Sequence, residues 1–347
     1  MLSWLLSSCG GVAYLAQAAH GQLQVLHARR PLAQVIADPD SPSTLRERLQ
    51  MVQDARDFAT RSLGLPDNRS YRTYSDLKRP FVVWNVVAAP PFSVQPLRWC
   101  FPVTGCVSYR GYFREQAAER FAARLKRRGD DVLVSGVTAY STLGHFADPV
   151  LNTMMGYGDL DLVGTIFHEL AHQLIYVRGD STFNESFAMT VQQAGLARWL
   201  AARGRSAELA GYRQQQAQWR HIADLLAAGR GRAAALYRSL PGAGLTPAEQ
   251  QARKRELLDE VGREVQAYEA QHGLRTVYDQ WIASGLNNAH LAAVGTYYDC
   301  VPAFERLLDE QQGDLPRFYA AVRALARGSA QQRRAFCAAA PEKGGRG

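Results

Sequence analysis

The chain predicts a mostly helical α+β fold, with a small mixed or antiparallel sheet and many helices. Three observations lead there. The run Phe81-Val82-Val83-Trp84-Asn85-Val86-Val87-Ala88 is rich in β-branched residues and reads as a strand. Between 162 and 175, apolar residues recur at 162, 163, 166, 167, 170, 171, 174 and 175, the spacing of a helix with one buried face. From Phe183 onward the pattern is helical, with breaks near Gly204, Gly229, Pro241-Gly242, Gly273 and Gly313.

Taken in order, residues 10–30 read as a helix with a mostly apolar face, ended by Arg30-Pro31. Residues 42–64 read as a second helix, with Ser41 or Ser43 as its cap and Gly64-Leu65-Pro66 as its stop. The strand at 81–88 follows, then a second at 107–113. A helix over 114–128 turns at Gly129-Asp130-Asp131 into the extended residues 132–135. A last extended segment, 138–144, precedes the periodic helix. Within it, 140–143 is assigned as an edge strand to which a peptide adds, with Tyr140 as a substrate-binding residue.

That periodic helix carries His168-Glu169-Leu170-Ala171-His172. Residues four apart share a helix face, so both imidazoles reach one ion. Glu169 points beside that ion, where a carboxylate takes a proton from a metal-bound water. Two His and one carboxylate suit zinc best among common ions, and a catalytic zinc takes three protein ligands and keeps one position open. Gly179-Asp180 makes a turn into a second helix running from about Thr182 through Trp199, which brings Glu185 back alongside the motif. The expected triad is therefore His168, His172 and Glu185. Two other readings stay open at this stage. Thr182-x-x-Glu185 is also a capping box, and Asp180 is a competing ligand that more often serves a turn or an N-cap.

The segment 148–188, with the His-Glu-x-x-His and Phe183-Asn184-Glu185-Ser186-Phe187-Ala188, resembles a family of zinc aminopeptidases of bacterial cell envelopes. So do Trp99-Cys100-Phe101-Pro102-Val103-Thr104-Gly105-Cys106-Val107-Ser108-Tyr109-Arg110-Gly111-Tyr112-Phe113, and Leu286-Asn287-Asn288-Ala289 with Thr296-Tyr297 and Val301-Pro302-Ala303-Phe304. The resemblance spans about residues 9 to 325. It implies a zincin-like fold, a gluzincin-like peptidase with one zinc per chain, and Glu185 as the acidic ligand. Two departures from thermolysin-like gluzincins stand out. The gap from His172 to Glu185 is shorter, and Met189 stands where such enzymes often place an Asp that orients a zinc histidine. Asp159, Asp161 and Asp180 are the candidates for that orienting part.

The expected reaction is peptide-bond hydrolysis, with Glu169 moving the proton. Tyr297 fits the family's Thr-Tyr pattern and is expected to donate to the oxyanion, with Tyr298 and His290 as alternatives. Recognition of a free amino terminus requires acceptors near the metal. Asn184, Asn287 and Asn288 offer amide oxygens, and Asp148 or Asp180 offers charge. Arg110 instead suits a carboxylate. Alternatives to an exopeptidase are an envelope endopeptidase, or a catalytically silent binding or assembly lipoprotein with a metallopeptidase fold.

The chain has 347 residues and a formal net charge of +8. Residues 10–347 are expected to form a single domain, with its sheet at about 70–160 and its helical part at about 160–340. Many of the basic residues, which cluster at 29–30, 126–128, 230–238 and 253–255, have acids interleaved, and no aromatic-basic motif accompanies them, so the expected partner is a peptide or protein and not nucleic acid. Leu5-Leu6-Ser7-Ser8-Cys9-Gly10 reads as a bacterial lipobox, with Cys9 lipidated, residues 1–9 a signal remnant, and the protein held to the envelope membrane by that lipid. Only eight residues precede Cys9 and none is basic, so the expected start lies upstream. The four other cysteines make an even set suited to an oxidising compartment. Cys100 and Cys106 flank a turn that a disulfide closes, and Cys300 and Cys337 remain as a second pair.

Overall fold

A computed structural model describes residues 3–101, 105–139, 141–294 and 300–339. In chain order the elements are α1 (Ser3–His27), β1 (Arg29–Pro31), α2 (Leu32–Ala37), α3 (Ser43–Leu63), β2 (Thr73–Ser75), β3 (Val83–Ala89), β4 (Trp99–Phe101), β5 (Gly105–Val107) and β6 (Arg110–Tyr112). There follow α4 (Glu115–Arg127), β7 (Asp131–Val137), β8 (Val150–Leu151), α5 (Asp159–Leu174), α6 (Ser181–Ala201), α7 (Glu208–Ser239) and α8 (Pro247–His272). The remaining helices are α9 (Val277–Ala283), α10 (Asn288–Ala293), α11 (Val301–Glu310), α12 (Leu315–Arg327) and α13 (Ala330–Ala338). This is the mostly helical α+β class expected from the sequence, although among the described residues the strands form three small sheets and not one. No described helix is long and apolar enough to cross a membrane.

The chain divides into two compact units, and the division does not follow the sequence. One unit comprises residues 1–18, 83–137 and 214–295; the other comprises 19–82, 138–213 and 296–347. The first holds the antiparallel sheet β6-β3-β7, where Val86 pairs with both Arg110 and Val134. Helices α4 and α10 pack on it. Helix α4 buries Ala118, Phe121, Ala122 and Leu125, the i, i+3, i+4, i+7 face that its sequence predicts. A separate core joins Ile222, Leu226 and Ala233 of α7 to Leu258, Val261 and Val265 of α8. The buried Lys254 donates to Asp131 Oδ2 at 2.6 Å and to Pro91 O at 2.8 Å, so its charge is paired. The ribbon β4-β5 is closed by the Cys100–Cys106 disulfide, whose two residues are register partners.

In the second unit, α5 and α6 pack on each other and both contact α3. The approach is close at Gly195 of α6, where an added Cβ would sit 2.8 Å from both Leu63 Cδ1 and Phe167 Cδ2. Phe58, Phe167 and Trp199 form the aromatic core of this packing. Phe183 and Phe187 of α6 meet Phe304 and Phe318 of α11 and α12. The Cys300–Cys337 disulfide joins the start of α11 to α13. The sheet β1-β2-β8 is antiparallel between β1 and β2 and parallel between β2 and β8.

Several expected boundaries move. The helix read at 10–30 stops at His27, because Arg29–Pro31 pair with Thr73–Ser75. Helix α3 begins after Pro42, with no side-chain cap from Ser41 or Ser43, and ends on Gly64 in the left-handed region at φ 65°. The strand expected at 107–113 is two, β5 and β6, in different sheets. The edge strand expected at 140–143 is absent among its described residues: 141–146 turn back around the carboxylate of Asp148. That carboxylate accepts from Thr142 N at 2.9 Å and from Thr142 Oγ1 at 2.8 Å. Leu143 and Gly144 both have positive φ, which no strand tolerates. Tyr140 lies outside the described residues.

Candidate metal centre

Helix α5 carries His168, Glu169 and His172. Its start has Asp159 and Asp161 in the first turn, where the helix dipole favours negative charge. The i, i+4 spacing turns both rings the same way, with their Nε2 atoms 3.0 Å apart. The chain then turns at Gly179, whose φ of +80° is reached at little cost only by glycine. Asn184 clips this turn: its Oδ1 accepts from Val177 N and its Nδ2 donates to Val177 O, both at 2.8 Å. Asp180 caps α6 by accepting from Phe183 N, and Arg333 of α13 holds its other oxygen at 2.7 Å. The competition for Glu185 is thereby resolved, because Asp180 does the capping and Glu185 faces α5.

Glu185 Oε2 lies 3.3 Å from His168 Nε2 and 3.6 Å from His172 Nε2. His168, His172 and Glu185 are the group among the described residues placed to hold a metal ion, with ligand atoms within 4.8 Å of one another. Tetrahedral zinc with bonds of about 2.0–2.1 Å needs its ligand atoms about 3.4 Å apart. The three observed separations, 3.0, 3.3 and 3.6 Å, bracket that value. The donor set is two neutral nitrogens and one carboxylate, which leaves the fourth tetrahedral position to water or substrate. Zinc fits these residues.

The electrostatics agree with a ligating role. Burial pushes the Glu185 carboxyl up, but hydrogen bonds and charge from His168 and His172 hold it at about 2. Burial pulls the His168 imidazole down, and Glu185 and Glu169 more than offset it, leaving the ring above its ordinary value. Glu169 is half-buried and stands outside the ligating group. Its charge is felt by His168, by Asp148 and by the Tyr157 phenol, which bonds Thr138 Oγ1. Tyr157 carries no motif, and nothing in the sequence singles it out.

The other expected site residues fall in three groups. Tyr297 and Tyr298 lie outside the described residues, and so does the side chain of Cys9. A second group is consumed by structure. Asn184 is 2% exposed, and both ends of its amide bond the α5–α6 turn, so it is not free to hold a substrate amine. Asn288 donates to Pro90 O and Pro91 O and accepts from Tyr237 Oη. Asn287 caps α10 and donates to Val132 O. Both asparagines belong to the unit that does not contain the triad. His290, also in that unit, is buried and accepts from Asn287 N through Nδ1. Arg110 stacks over Tyr14 at 4.1 Å. Asp148 is spent on its turn, and Asp180 on its cap and Arg333. The third group is the proposed orienting acids: Asp159 pairs with Arg48, and no described residue makes an aligned hydrogen bond to either outer Nδ1 of the two histidines.

A family described as "Putative aminopeptidase" matches residues 13–337. The chain belongs to this family. No curated protein and no solved structure matches it. Membership supports peptidase activity in general, and the His168–His172–Glu185 group is placed to hold a metal ion.

Proposed function

We propose that the protein is a zinc-dependent aminopeptidase of the bacterial envelope. The observation that carries this reading is the convergence of His168, His172 and Glu185 from two helices, beside a carboxylate, Glu169, that is not itself a ligand. When bound, zinc polarises a scissile carbonyl and brings the pKa of a bound water down to about 7. Glu169 takes the proton released and delivers it to the leaving amine. Helix α5 fixes Glu169 one residue from His168, so the base and the ligands move as one rigid piece. Tyr297 is assigned as the oxyanion donor on the family pattern. Anchoring through a lipid on Cys9 completes the reading, and the two disulfides are in keeping with an oxidising compartment.

The test is mass spectrometry of a peptide library digested by the purified, zinc-loaded protein, using free and N-acetylated versions of each peptide. Stepwise loss of residues from free peptides alone is expected. The Glu169→Gln variant should retain zinc and lose roughly 10²–10⁴-fold in rate. Internal cuts in both peptide sets would replace the aminopeptidase with an endopeptidase. Equal rates in wild type and Glu169→Gln would overturn the mechanism.

A further inference from the structure

A histidine that ligates through Nε2 must carry its proton on Nδ1, and a buried N–H needs an acceptor. His168 is 15% exposed at its side chain, and its Nδ1 has no aligned partner among the described residues. None of Asp159, Asp161 or Asp180 supplies one.

The facing helix offers Gln192. It lies on α6, seven residues and two turns after Glu185, and so on the same helix face. It is 9% exposed, and its amide lies against α5 at Gly164, one turn before His168. Two further features fix how it lies. Its Nε2 donates to Tyr212 Oη at 3.0 Å, which leaves the carbonyl end of the amide for the imidazole. Gly164 precedes His168 by one turn on α5, and a Cβ there would come within 2.9 Å of Gln192 Nε2 and 3.2 Å of its Cγ. A glycine inside a helix costs about 1 kcal/mol relative to alanine. Here it opens the space in which the Gln192 side chain crosses α5.

We propose that Gln192, oriented by Tyr212 and admitted by Gly164, is the positioning residue that accepts from His168 Nδ1 and holds the ring ready to bind metal through Nε2. A neutral amide thus takes the part that Met189 cannot. Compared with a carboxylate, it offsets less of the ion's charge and leaves a bound water more acidic. This role rests on the zinc-site reading above.

The test uses the full chain and zinc alone. Zinc affinity is measured by competition with a chromophoric chelator for wild type, Gln192→Leu, Gln192→Glu and Tyr212→Phe. Metal-free thermal melting is followed in parallel. Gln192→Leu keeps the volume and removes the acceptor, and is expected to weaken zinc binding about 10–100-fold. Gln192→Glu keeps an acceptor and is expected to bind zinc at least as well as wild type. A merely structural glutamine predicts the reverse order, since Leu suits a buried site and an added carboxylate does not. Tyr212→Phe should follow Gln192→Leu in direction with a smaller loss. Nitrogen NMR of His168 in the metal-free protein should show Nδ1–H as the dominant tautomer in wild type and a mixture in Gln192→Leu. If wild type fails to hold one zinc, the zinc reading and this role fall together. If wild type holds zinc and Gln192→Leu holds it equally tightly, or the tautomer is unchanged, only the role of Gln192 is overturned. A variant that loses its metal-free melt is replaced by Gln192→Met, with the same affinity criterion.

Discussion

His290 sets up a pH dependence of stability that can be worked through. Its Nδ1 accepts from Asn287 N at 3.1 Å, its ring packs on Trp281 at 5.1 Å, and it is 4% exposed. A protonated ring could not accept that bond. Burial, and then the charge of Lys126, lower its pKa from 6.5 to about 4. The unfolded chain therefore binds a proton in a window where the folded protein does not, so stability falls as pH drops from about 6.5 towards 4. At about 1.4 kcal/mol per pH unit, the loss reaches at most about 3.5 kcal/mol below the folded value, and about 2.5 kcal/mol at pH 4.5. The perturbation is His290→Gln, which keeps an acceptor at the third residue of the helix and cannot titrate. Urea unfolding, followed through tryptophan fluorescence from pH 4.5 to 7.5, should give a wild-type curve steeper with pH than the variant's by that amount. The variant should start somewhat less stable at pH 7.5, having lost the ring packing, and should become the more stable of the two on acidification. Parallel pH curves would refute the argument, because the proton would then be taken up elsewhere.

Glu185→Gln should weaken zinc binding by more than the about 10–100-fold typical of an outer partner, as read by chelator competition. Gly195→Ala forces a methyl against Leu63 and Phe167 and should destabilise the protein by about 1–3 kcal/mol, measured as a lower urea midpoint. Replacing Cys300 and Cys337 together by Ser opens a loop of sequence separation 37 and should cost about 2–4 kcal/mol, seen as a lower melting temperature. Cys9→Ser, in cells expressing the natural gene, should move the protein from the membrane fraction to the soluble one without changing peptide hydrolysis.

The chemistry of this chain was legible where it was local. His168 and His172 sit one helical turn apart, so spacing alone put them together. Glu185 needed one tertiary assumption, that a glycine turn folds the next helix back, and Gly179 bears that out. What sequence could not resolve was which of two good local roles each polar residue takes. Thr182-x-x-Glu185 satisfies a capping pattern, yet Asp180 occupies the cap because Arg333, 153 residues away, fixes it there. Asn184, Asn287 and Asn288 looked like spare amides and are bound to backbone groups that only the fold brings near. The strand expected at 140–143 failed because Asp148, buried and multiply bonded, captures the backbone of residue 142, a contact no propensity encodes. Gln192 was missed for a similar reason: its meaning depends on a gap at Gly164 and a hydroxyl at Tyr212, neither of which is a motif. The sheets were seen only in part, since several of their strands have just two or three residues and carry no periodicity to read.

The interleaving of the two units bears on how the protein is made. The chain passes from one to the other five times, so neither exists as a continuous stretch that an emerging polypeptide completes before starting its neighbour. The helix bearing Glu185 is synthesised near the middle, but Phe304, Phe318 and Arg333, which cover its aromatic face and secure its first turn, arrive more than a hundred residues later. Until then Phe183 and Phe187 are without those neighbours, and such surfaces aggregate unless shielded. Settling of the His168–His172–Glu185 group is thus tied to delivery of residues 300–339, and no single proteolytic or recombinant fragment will yield either unit whole.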